Sequence, residues 1–220
     1  MDAGSRELAR LWIKANVLSA AADTAGYAVI VLVNRTLWVS DPDFGALFAT
    51  GFLSFAGTIK AVTTAVFGYL TGHVFAHRFP AFPVRTWVAV NTVFGLLYGP
   101  FMYADLVLAK PDEPATWTAE LVVAMAVLGI SVNALVGCVQ AWVLRQTAHG
   151  MGTWIGFSAL SGLCWLLSVV AMVYVPGGIP GDVAGAVANF VAFVVSGLIQ
   201  VPAVLRLRPR GGHDIPTLFE

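Results

Sequence analysis

The chain has 220 residues, 58% of them hydrophobic and 11% charged, and its twelve basic and twelve acidic side chains cancel. A soluble domain is about a quarter charged, so composition argues against a soluble enzyme, a nucleic-acid binder and a disordered chain. Two cysteines, Cys138 and Cys164, both lie in apolar runs, which leaves disulfide scaffolds, zinc sites and iron–sulfur clusters without ligands.

What remains is an all-α polytopic membrane protein. A helix needs about 20 mostly apolar residues to cross ~30 Å of hydrocarbon. Six segments qualify: 8–34, 44–77, 84–108, 117–145, 152–175 and 182–206. The first reads as a retained span, because Lys14 interrupts the apolar core that a cleaved leader needs. Turn residues separate the spans, among them Pro42, Pro80, Pro83, Pro111, Pro114, Gly150, Pro176 and Gly181. Short connections predict antiparallel neighbours within one transmembrane domain over 1–220, and long uninterrupted apolar runs exclude a β-barrel.

Basic residues set the expected orientation. Arg6, Arg10, Lys14, Arg78, Arg85, Arg145, Arg206, Arg208 and Arg210 fall on one side, against Arg35 and Lys110 on the other. Asp41, Asp43, Asp105, Asp112, Glu113, Glu120 and Asp182 fall in or beside the loops poor in Lys and Arg. Both termini are therefore expected in the cytoplasm, in a membrane that reads as a bacterial inner membrane. The expected partners are the lipid bilayer and either other membrane subunits or further copies of the chain, not nucleic acid.

A weak internal repeat runs through these spans. Arg85, Trp87, Asn91 and Gly95 stand 67 residues before Gly152, Trp154, Ser158 and Gly162, and Arg10, Trp12 and Asn16 stand 75 before the first three of the earlier set. Gly137 and Gln140 likewise precede Gly197 and Gln200 by 60. The pattern predicts three tandem helix pairs in parallel orientation around an axis along the membrane normal. Belt tryptophans and helix-end arginines would mimic part of it. Small residues four apart, including Ala21/Ala25, Ala22/Gly26, Gly68/Gly72, Gly95/Gly99 and Ser158/Gly162, predict close helix contacts, with Asn and Gln side chains hydrogen-bonding between helices.

Asp23 and Lys60 are the ionisable residues nearest mid-span. Asp23 is 13 residues from Arg10 and Lys60 is 18 from Arg78, so they lie about 20 and 27 Å along their helices and can meet. A charge at the bilayer centre costs at least about 2.5–3.5 kcal/mol, so such residues face inward and pair. Asn16, Asn91 and Tyr98 complete a candidate polar site between the first three spans. His73 and His77 share a helix face and, with His149, form a weak metal candidate that lacks a carboxylate. No phosphate loop, dinucleotide fingerprint, nucleophile elbow or zinc-protease motif occurs, and no cofactor is indicated. The expected function is non-enzymatic binding or transport of a small solute or ion. The alternative is a structural or assembly subunit of a larger membrane complex. A membrane enzyme acting on lipid or quinone is a weaker third reading, without a catalytic set.

Overall fold

The computed structural model describes residues 3–38, 45–102, 119–164, 166 and 181–210. They form six helices: α1 (Ala3–Trp38), α2 (Gly45–Arg78), α3 (Val84–Met102), α4 (Ala119–Leu144), α5 (Met151–Ser161) and α6 (Gly181–Arg206). Helix α1 is longer than expected at both ends, and the other five begin within two residues of the predicted positions. The later parts of the third and fifth predicted spans lie outside the described residues. Among the described residues, four helices hold a stretch long and apolar enough to cross a membrane: Gly4–Thr36, Thr50–Arg78, Val122–Leu144 and Val183–Arg206.

The reversal between α2 and α3 is built from local hydrogen bonds. The Phe79 N–H donates to the Phe75 carbonyl and the Phe82 N–H to the Phe79 carbonyl. Pro83 stands immediately before α3, where a missing N–H costs nothing, and its carbonyl accepts the Trp87 N–H. Between α4 and α5, Gly150 adopts φ 104°, a left-handed geometry that favours glycine, and a Cβ there would lie 3.3 Å from the Arg206 carbonyl oxygen. Next to it, a two-residue antiparallel ladder joins β1 (Ala148–His149) to β2 (Arg208–Pro209), and the Arg210 N–H donates to the Thr147 carbonyl. The α4–α5 loop is thereby stitched to the chain leaving α6.

Each helix packs on its sequence neighbours, and α6 returns to α1, so the six close into a ring. Small residues set the closest seams. Gly68 on α2 touches Asn91 on α3, Gly137 on α4 touches Ser158 on α5, and Gly197 on α6 touches Asn16 on α1. Gly99 meets the Gly57 backbone, and Gly162 meets the Gly129 backbone. Ala21 and Ala25 differ from expectation, because both face outward. Large apolar side chains such as Leu32, Val62, Leu97, Val123, Leu135 and Val187 are exposed around the outside. That arrangement suits hydrocarbon and would be costly in water.

The inside of the arginine-rich end is filled by aromatic rings. Trp12, Trp87 and Trp154 are 0–1% exposed and surround Phe75, with ring centroids 5.2–5.6 Å from it. Trp154 also lies 5.8 Å from Trp12 and 5.9 Å from Trp87, edge to face or steeply inclined. The Trp12 indole donates to the Gly197 carbonyl and the Trp87 indole to the Thr71 hydroxyl. These tryptophans are core residues, not interfacial anchors.

Candidate functional site

Asp23 and Lys60 meet inside the ring. Lys60 Nζ donates to Asp23 Oδ1 at 2.7 Å and to Oδ2 at 2.8 Å, with Asp23 2% and Lys60 8% exposed. Thr63, one turn past Lys60 on the same face of α2, donates its hydroxyl to Asp23 Oδ1 at 2.7 Å. Asn189 on α6 donates its amide to Asp23 Oδ2 at 3.0 Å. One carboxylate therefore joins α1, α2 and α6.

Glycines make room for this cluster. A Cβ on Gly26 would lie 2.8 Å from the Thr63 methyl, and one on Gly99 would lie 2.8 Å from Lys60 Cβ. A Cβ on Gly95 would overlap the Lys60 carbonyl and the Thr64 hydroxyl. The α3 backbone consequently lies directly on the α2 turn that carries the lysine.

Beside the pair is a cavity of about 150 Å³ to which all six helical segments contribute. Asp23, Lys60, Tyr98 and Asn133 come from α1 to α4, Ser161 and Cys164 from the end of α5 and the turn after it, and Asn189 and Ser196 from α6. Tyr98 thus belongs to the site, but Asn16 and Asn91 do not line it. Each stands seven residues, about 10 Å of helix, from its site neighbour, Asp23 or Tyr98, toward the tryptophans. Asn16 donates to the Trp12 carbonyl at 2.9 Å, and Asn91 to the Trp87 carbonyl at 2.7 Å. Asn91 also accepts from Gln140 at 2.9 Å, a bond between α3 and α4. Both serve helix packing at the seams, and the cavity is a feature of the whole ring instead of the first three helices.

From the sequence, Asn133 and Asn189 were given to hydrogen bonding between helices and not to the site, and Thr63, Ser161 and Ser196 were missed. Depth would have assigned Asn189 to the site: it is 17 residues from Arg206, close to the 18 that separate Lys60 from Arg78. The histidines are scattered. His73 packs its ring against Tyr69 at 4.4 Å, His77 stands 4.0 Å from Glu7, and His149 lies in β1. Among the described residues no three His, Cys, Asp or Glu side chains group at metal-binding distance. A second recess of about 620 Å³, walled by apolar residues such as Val31, Val187 and Phe190, lies between α1 and α6 toward the Trp38 end of α1.

No protein-family model, curated protein or solved structure matches the chain.

Proposed function

We propose that the chain is a six-span integral membrane protein, with both termini cytoplasmic, that binds or carries a small solute or ion in the central cavity. The observation that carries this reading is a buried ion pair bordering a polar cavity supplied by all six helical segments. An ion pair needed only to hold α1 against α2 has no need of an adjoining hollow. Intramembrane charges are expensive and sit where solutes or protons are handled. In this reading the Asp23–Lys60 pair is the charge that solute or proton exchanges with. Three tandem helix pairs form the scaffold. The meeting of Trp12, Trp87 and Trp154 and the glycine contacts at Asn16, Asn91 and Ser158 support that repeat, since both sets fall at offsets of 75 and 67.

The test is a stability screen in nanodiscs against small amides, amino acids and inorganic ions. At least one solute should raise the unfolding temperature in a concentration-dependent way. The folded Asp23→Asn/Lys60→Met variant should lose that response. No responding solute, or an equal response in the variant, rejects the site. The assembly-subunit reading draws on the outward small-residue face at Ala21, Ala25 and Ala28. Obligate co-purification with other subunits in mild detergent would favour it.

A further inference from the structure

We infer that the central cavity takes a small uncharged solute bearing a strong acceptor and an N–H, a carboxamide or urea-like molecule of about six non-hydrogen atoms, and excludes cations. This rests on the solute-site reading above and narrows its ligand class. A carboxylate offers about four lone-pair positions. On Asp23 two are taken by Lys60, one by Thr63 and one by Asn189. A cation entering the cavity finds that acid saturated and an ammonium beside it.

The remaining groups favour a neutral guest. An ammonium carries three N–H donors, and Lys60 gives two to Asp23 while the third has no partner among the described residues. That donor is held on a side chain nine-tenths buried and lining the cavity. It calls for a carbonyl oxygen. Asn133 directs its amide nitrogen to the Gly129 carbonyl at 2.9 Å, which leaves its side-chain oxygen to accept an N–H from the guest. Ser196 lines the cavity with a hydroxyl that has no partner among the described residues. An anion could use the lysine, but the pair is already neutral, and an added charge would be buried without compensation. For size, an engineered cavity of about 150 Å³ in another protein holds benzene. Here an apolar guest of that size would leave the lysine donor and the asparagine oxygen unpaired.

The test uses three probes with the same carbon skeleton and different charge: isobutyramide, isobutyrate and isobutyramidinium. Each is titrated into the full chain in nanodiscs, with calorimetry and unfolding temperature as readouts. Isobutyramide should bind at least tenfold more tightly than either ion. Ser196→Leu and Asn133→Leu, which fill the cavity and leave the Asp23–Lys60 pair in place, should each abolish the amide response in folded protein. Equal or tighter binding of either ion overturns the ligand class and leaves a solute site standing. A response to none of the three, with other solutes active in the wider screen, also overturns the class. Silence across the whole screen overturns the solute site itself. An amide response that survives both filling substitutions places binding elsewhere and rejects the inference.

Discussion

Removing the ammonium alone should destabilise the fold far more than removing the whole pair. In Lys60→Met, Asp23 keeps the Thr63 and Asn189 hydrogen bonds and loses both contacts to Nζ. The carboxylate stays 2% exposed, with no countercharge within salt-bridge reach among the described residues. Each charge-assisted bond contributes about 1.5–3 kcal/mol, and breaking a buried pair from one side costs about 3–5 kcal/mol. Asp23→Asn should fall in the same range, because it leaves an ammonium with a single amide oxygen to face. In the double variant the introduced amide can still accept from Thr63, and the introduced thioether chain fills the volume of the lysine stem. Its cost should be about 1–2 kcal/mol, since paired replacement of buried ions is often close to neutral. The double-mutant cycle should therefore return a coupling above about 2 kcal/mol. Reversible unfolding in mixed micelles by SDS titration measures all four proteins. Single variants within about 0.5 kcal/mol of wild type, or a double variant equal to their sum, would refute the argument.

Three further outcomes follow from the packing. Gly162→Ala should cost about 1–3 kcal/mol, because the new methyl meets the Gly129 backbone, which cannot yield as a side chain can; Gly152→Ala and Gly51→Ala, with open space around the added carbon, should be neutral or up to about 1 kcal/mol stabilising, and the same SDS titration compares them. Phe75→Ala should cost about 3–5 kcal/mol and shift tryptophan emission to longer wavelength as the surrounding indoles gain water; an unchanged spectrum in folded protein would contradict the central place given to that ring. Gly150→Val should strain the left-handed turn by about 1–2 kcal/mol and speed hydrogen exchange at the Arg210 amide, whereas wild-type exchange there would show that the turn tolerates a side chain.

The helices were legible because apolar runs of this length have few alternatives, and proline and glycine mark where they stop. The Asp23–Lys60 encounter was legible too, since axial rise converts residue counts into depth and two isolated charges at one depth have strong reason to pair. Asn16 and Asn91 were misassigned because a polar residue inside a span has two uses that look alike in sequence. Their positions beside Gly197 and Gly68 decide in favour of packing, and that adjacency between distant helices is invisible until the ring closes. Thr63 and Ser161 escaped notice because hydroxyls abound in such spans and usually return to their own helix backbone, as Ser19 and Thr92 do here. The burial of the three tryptophans ran against the habit of placing indoles at membrane surfaces. The offsets of 75 and 67 that link the three tryptophans were the available clue, and they fit convergence on one interior point as well as they fit a belt.

The four-ring knot has a kinetic consequence. It lies about 16 Å of helix from Asp23, between the hollow and the arginine-rich end, with indoles from α1, α3 and α5 locked around one phenyl. In this conformation the packed rings fill the interior between the hollow and that end. If the hollow carries a solute as proposed, traffic past the knot would require several helices to shift in concert, a motion of microseconds to milliseconds rather than a side-chain flip. Passage would then proceed in discrete shuttling cycles, at rates far below those of an open pore.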